Sequence, residues 1–414
     1  MESTTILNII LIIISIDYFL NLYIGLLNYR SFDNPIPKNL QGVYDKIEYS
    51  KSQLYNKTTF RFSLITSTFT YIILFCVFKY GLLGELDSFL RSYTLENELS
   101  LSLLFFGFIF FINDFISIPF QLYSVFVIEE KFGFNKMNFK IFFFDKLKSY
   151  FLTILVGGIL ISILLVLIML YPLNFWIYFW VVISLFIIFI NMFYTSLIVP
   201  LFNKLVPLED SDLKSKINDY AKKVNFPLTN IFVINGSKRS AKANAYFSGL
   251  GKSKKIVLFD TLIKNHNDEE LVSVLAHEVG HFKKKHIFSN LIISILITGM
   301  MLFILSKFLF NSEISYALGG SISFRHFEIF AFSILYTPIS FIFGILLNYK
   351  SRINEFEADA YACKTYSKIS LINALKKLSK DNLTNLTPHP LHVFFNYSHP
   401  PLDSRIQSMN NFKK

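Results

Sequence analysis

The sequence predicts an all-α polytopic membrane protein, with seven transmembrane helices and a small α+β domain on one side of the bilayer. Three observations support this. Apolar residues make up 53% of the 414 residues and gather into seven runs near the length that a hydrocarbon layer demands. The 40 Lys and Arg fall almost wholly into alternate connecting segments. Two of those segments are long and polar enough to fold outside the membrane.

The apolar runs lie at 6–27, 64–83, 101–128, 151–171, 175–200, 287–310 and 327–348. The first has neither a basic n-region nor a small-residue cleavage site, so it reads as a retained span and not a signal peptide. Segments 28–63, 129–150, 201–286 and 349–414 carry 36 of the 40 basic residues, and the opposite-side segments carry 2. Positive-inside insertion then puts the N-terminus in the lumen or outside and the C-terminus in the cytosol. The net charge of +11 is thereby a topology signal, and no nucleic-acid partner is expected. Two cysteines, Cys76 and Cys363, allow one bridge at most, which excludes a disulfide scaffold. Asp17 and Asp114 stand inside spans, where a charge is costly unless it faces water or a partner; a wet interior and interhelical contacts are both open.

The chain divides into 1–200 with five spans and cytosolic loops, the polar region 201–286, spans six and seven in 287–348, and a cytosolic region 349–414. Within 201–286, Asn230 to Ile234 and Lys255 to Phe259 read as short strands, separated by the Lys- and Gly-bearing stretch 236–254. From Asp268 to Lys285 the pattern is helical, with acids in the first turn and Lys283, Lys284 and Lys285 in the last, as the helix dipole favours. No internal repeat is present.

That helix carries His277-Glu278-Val279-Gly280-His281. Histidines four apart project from one helical face, so both imidazoles can reach one zinc ion, with Glu278 beside them as a proton acceptor. A catalytic zinc takes a third protein ligand and leaves a position for water. Just after the last span, Glu355 and Asp359 lie one turn apart on one helical face, with Glu357 turned away. Glu355 is the natural third ligand, and Asp359 a partner able to orient a ligating imidazole. His389 and His392, flanked by Pro388 and Pro390, read as loop histidines and not a second metal site.

The zinc motif and 355–359 join further words in order: Phe126 to Asn135, Gly236 to Ser240, Asn244 to Gly249, Ile256 to Thr261 and Tyr397 to Leu402. Together around seven spans they resemble the type I CAAX prenyl proteases, integral-membrane zinc metallopeptidases that trim prenylated proteins. The resemblance implies seven helices around a water-filled chamber capped by the zinc domain. It implies one zinc ion on His277, His281 and Glu355, and Glu278 as general base. It further implies Asn244 at a strand edge that pairs with substrate, His399 on the oxyanion, and Arg405 near the site. The implied partners are prenylated Cys-a-a-X chains and the lipid bilayer, and the implied residence is the endoplasmic reticulum membrane with the inner nuclear membrane. Glu357 departs from the usual Gln, and Ala241 and Lys242 from Ser and His, which touches local substrate contacts.

Two other readings compete with this one. A quality-control metalloprotease of the same superfamily would lack prenyl preference, and the words outside the zinc motif, Phe126 to Asn135 above all, argue against it. A transporter would put Asp17 and Asp114 in its pathway, but it has no use for three convergent ligands and shows related halves, which are absent.

Overall fold

The computed structural model describes residues 2–94, 97–227, 230–249 and 255–412, so positions 250–254 of the connection after Gly236 lie outside the described residues. Helices α1 (Ser3–Ser31) and α2 (Lys46–Lys79) precede the short α3 (Leu82–Thr94), then come α4 (Glu98–Phe132), α5 (Phe139–Leu170) and α6 (Phe175–Phe202). The polar domain begins with β1 (Leu205–Pro207) and α7 (Asp212–Lys223). It continues through β2 (Asn230–Ile234), β3 (Ala245–Ser248), β4 (Lys255–Phe259), α8 (Asp260–Asn265) and α9 (Asp268–Lys283). Helix α10 (His286–Phe308) re-enters the spans, followed by α11 (Ser312–Ala317), α12 (Arg325–Leu335) and α13 (Thr337–Thr365). The chain ends in α14 (Lys368–Asp381), α15 (Pro390–Asn396) and α16 (Leu402–Asn411).

Among the described residues, α1, α2, α4, α5, α6 and α10 are each long and apolar enough to cross a membrane. The seventh span is α12 with α13, bent by 46°. Pro338 sits in the first turn of α13, where its missing N–H costs nothing, and restarts the helix after the bend. Two helices differ from the apolar runs that announced them. The run at 64–83 belongs to a helix that starts at Lys46, behind a capping box of Asp45 and Glu48, and stops at Lys79 ahead of Gly81 at φ +63°. Likewise α13 runs unbroken past residue 348, carrying its acidic turn out of the membrane on the same rigid rod as the last span.

The spans form a ring in chain order. Helix α1 packs on α2, which meets α4 through Phe62 against Phe120 and Tyr123. The sequence α4, α5, α6, α10, α12 and back to α1 closes it. Only 6–22% of the apolar window of each of the six unbroken spans is buried within the protein. No span is therefore covered on every side, as in a ring one helix thick. Asp114 is held by Lys146 and Tyr150 of α5, an interhelical contact. Asp17 accepts from Asn21 at 3.1 Å and lines a cavity of about 510 Å³ with Thr66, Ser67 and Thr70 of α2. Cys76 and Cys363 are both free.

The sheet has the order β1-β2-β4-β3. Strands β2 and β4 are parallel, β1 pairs antiparallel with β2, and β3 pairs antiparallel with β4 (Ala245 opposite Leu258), so β3 is an edge. The two strands read from the sequence have the expected bounds; β1 and β3, of three and four residues, are too short to leave a period-2 signal. Ile256 and Leu258 of β4 join Leu271, Val272, Leu275 and Val279 of α9, and Ala362 and Leu371 beyond, in the largest buried core. That core ties the edge strand, α9, α13 and α14 into one block beneath the ring.

Candidate metal centre

Helix α9 has a well-defined start. Asn267 accepts from Glu270 N at 2.9 Å and Glu270 Oε2 accepts from Asn267 N at 3.0 Å, a capping box that Lys377 reinforces at 2.7 Å. Two turns on, the apolar face of α9 is buried in the core, which turns His277 and His281 towards α13. The two helices approach closely because small residues face each other. A Cβ on Gly280 would lie 3.0 Å from Ala358 Cα and 3.1 Å from Ala358 O. Gly280 lies between the two histidines, and Ala358 between Glu355 and Asp359, so this contact sets the separation of all four side chains. Replacing Gly280 with Val is expected to push the helices apart at a cost of about 1–3 kcal/mol. The thermal midpoint and bound-metal content should fall together.

The geometry suits a tetrahedral cation. One donor atom each from His277, His281 and Glu355 lies within 4.8 Å of the others, the only such group of three among the described residues. The two Nε2 atoms are 3.1 Å apart, His281 Nε2 is 3.2 Å from Glu355 Oε1, and His277 Nε2 is 3.5 Å from Glu355 Oε2. Tetrahedral bonds of about 2.0–2.1 Å put ligand atoms roughly 3.3–3.4 Å apart. Glu355 Oε2 is buried, and although His399 Nδ1 at 3.0 Å and Arg405 Nη1 at 3.4 Å are near, neither is aligned to donate to it. A buried carboxylate oxygen without an aligned donor is stabilised by a cation.

Asp359 backs His277: its Oδ1 is 2.9 Å from His277 Nδ1. Arg405 grips that carboxylate with Nε to Oδ2 at 2.8 Å and Nη2 to Oδ1 at 2.7 Å. Burial opposes a charged His277, but Asp359 and Glu355 outweigh burial and push its pKa up to about 9. Burial likewise opposes charge on Arg405, and the Asp359 carboxylate outweighs it, holding the guanidinium protonated. Burial raises the Glu278 carboxyl above the ordinary carboxylate range.

These side chains open into a cavity of about 530 Å³, which Asn244, Glu278, His399 and Arg405 line with His277 and Glu355. Asn244 is exposed just before edge strand β3, and its carbonyl accepts from Phe259 N at 3.1 Å. His399 is 66% exposed and turned to Glu355. Every residue expected at the site is thus brought to this cavity or directly behind it. His389 and His392 stay apart: His389 caps α15 by accepting from Leu391 N, and His392 lies within that short helix, not in a loop. Lys242 contacts Tyr55 at 2.9 Å and Glu129 at 2.9 Å, anchoring the approach to β3 instead of facing the cavity. Sequence reasoning missed His286, whose Nδ1 is 3.0 Å from His281 Nδ1; its spacing five residues beyond His281 was the available signal.

A ring of spans closed by a domain that presents two imidazoles, a buried carboxylate and a second carboxylate to one cavity defines an integral-membrane metallopeptidase. Residues 26–204 match the CAAX prenyl protease N-terminal family, described as five membrane helices, and residues 207–413 match peptidase family M48. The chain belongs to peptidase family M48. It is 33% identical to CAAX prenyl protease 1 of Saccharomyces cerevisiae, over 93% of this chain and 91% of that one. The human CAAX prenyl protease 1 homolog is also 33% identical, over 92% of this chain and 89% of its own length. The crystal structure of S. mikatae Ste24p superposes with a TM-score of 0.93 at 32% identity, covering 98% of this chain and 99% of that one.

Proposed function

We propose that this protein is a zinc metalloendopeptidase that removes the last three residues of prenylated Cys-a-a-X proteins. The observation that carries the reading is the convergence of His277, His281 and Glu355 on one point at the wall of the Glu278 cavity, in a chain whose full-length relatives are named CAAX prenyl proteases. His277, His281 and Glu355 would hold the ion. A bound zinc supplies Lewis-acid polarisation of the scissile carbonyl and a lowered pKa for its water.

The protein's own groups do the rest. Glu278 takes the proton of the attacking water and passes it to the leaving amine, from its place in the cavity wall beside His277. His399, 66% exposed at the cavity and not aligned to donate to Glu355, donates to the oxyanion. Substrate lies extended along β3 from Asn244, adding a strand to the free edge. Asp359, clamped by Arg405, fixes the His277 ring with Nε2 facing His281 and Glu355, where it would hold the ion.

The lysine and arginine asymmetry supports a lumenal N-terminus and a cytosolic C-terminus, and the likeness to CAAX prenyl proteases supports residence in the endoplasmic reticulum and inner nuclear membranes. It also supports placing regions 201–286 and 349–414 together on the cytosolic face, completing one zinc site between them. The test offers purified protein a farnesylated Cys-a-a-X peptide and its unprenylated twin, with zinc removed and restored. Zinc-dependent cleavage confined to the farnesylated peptide is expected. Equal cleavage of both would instead indicate a quality-control protease without prenyl preference.

A further inference from the structure

Each metal-facing imidazole has a second nitrogen that must be held. For His277 the partner is the clamped Asp359 carboxylate. For His281 the partner is another imidazole: His281 Nδ1 is 3.0 Å from His286 Nδ1, and His286 Nε2 is 3.2 Å from Glu357 Oε2. We propose that His286 and Glu357 form a positioning pair that orients His281 for zinc through a hydrogen-bonded chain running from ligand to carboxylate.

The chain has only one workable polarity. When His281 Nε2 gives its lone pair to the ion, the neutral ring carries its proton on Nδ1 and donates to His286. His286 must then accept at Nδ1, because a proton there would set two N–H groups against each other across 3.0 Å. Its own proton therefore sits on Nε2 and is donated to the Glu357 carboxylate. Glu357 defines the end of the chain and so selects the tautomer of both rings.

The backbone is arranged for this contact. Lys285, between α9 and α10, adopts φ +59°, a left-handed conformation uncommon for a residue with a Cβ. That residue separates α9 from α10 and leaves His286, the first residue of α10, within hydrogen-bond distance of His281. His286 is 5% exposed although it opens a helix, and its ring packs against that of His281 with centroids 5.1 Å apart. Glu357 reaches it from α13, two residues beyond Glu355, with Lys284 Nζ 3.9 Å from the same carboxylate oxygen. The turn that ends the zinc helix, the start of the next span and the ligand-bearing turn of α13 thus meet at one imidazole.

The inference rests on the zinc site proposed above but not on the substrate assigned to it. Its test measures zinc retention by the detergent-purified full chain against a series of chelator-buffered free zinc concentrations. His286→Leu fills the same space without an acceptor and is expected to weaken zinc binding about 10–100-fold. His286→Gln, whose amide can accept from His281 and donate to Glu357, is expected to restore most of it. Glu357→Ala should loosen zinc in the same direction, and Glu357→Gln, which keeps an acceptor, should not. Saturating zinc should return kcat in His286→Leu with KM unchanged, since the pair acts on the ligand and not on substrate. Zinc retention in His286→Leu within about twofold of wild type would overturn the proposal, and so would wild-type retention in Glu357→Ala. Glu357 is 45% exposed, so its variants remain readable even if His286→Leu fails to fold. A wild-type chain that binds no zinc would count against the metal centre itself, which separates the two failures.

Discussion

Replacing Glu278 with Gln is expected to reduce cleavage of a prenylated peptide by about 10²–10⁴-fold while leaving one metal ion bound per chain. The ion's three donors are on other residues, and Gln has nearly the shape of Glu, so nothing that positions the ligands changes. What disappears is the proton acceptor that faces the cavity next to the ligand pair. Arg405, on which the Glu278 charge acts, keeps both of its hydrogen bonds to Asp359, so the support behind His277 stays in place. A steady-state assay paired with metal analysis on the same preparation checks the prediction. Loss of metal in the variant would mean that Glu278 ligates or braces the site; undiminished turnover would remove it from the chemistry.

Replacing Glu355 with Ala is expected to do the opposite: metal and activity are lost together. Removing this carboxylate leaves two imidazoles, and a two-ligand site does not hold a catalytic zinc ion against a chelator. It also strips Arg405 and His399 of the carboxylate oxygen they approach at 3.4 and 3.0 Å. Because ion binding contributes to folding stability by mass action, chelation should lower the thermal midpoint of the wild-type protein and leave that of Glu355→Ala nearly unchanged. A chelator-sensitive midpoint persisting in the variant would place the ion elsewhere.

Much of this architecture was legible in the linear pattern. Seven apolar runs anticipated the spans, since hydropathy acts residue by residue along each helix, whereas their closure into a ring was implied by the family resemblance alone. The capped acidic start of α9 and the spacing of His277 and His281 are equally local properties. Glu355 was legible because one helical turn separates it from Asp359, and helix periodicity carries both to one face. Part of what stayed hidden depends on non-local packing or on rare backbone conformations. The bend between α12 and α13 is set by tertiary contacts, the polar start of α2 at Lys46 rests on a capping box outside the apolar run, and the edge strand Ala245–Ser248 was implied by the resemblance and not by any local pattern. The sequence places Glu357 away from Glu355, and it is; that it meets His286 depends on Lys285 taking a positive φ, which periodicity does not encode. Lys242, which departs from the usual His, ties the approach to β3 to Tyr55 and Glu129, across more than a hundred residues of chain.

The most direct measurement is an anomalous-scattering structure of the zinc-loaded protein, collected on both sides of the zinc absorption edge. A single strong peak per chain is expected, about 2.0–2.2 Å from His277 Nε2, His281 Nε2 and a Glu355 oxygen, with Glu278 facing it without coordinating. A peak that leaves Glu355 outside the coordination sphere, or that lies at another cluster, would contradict this coordination.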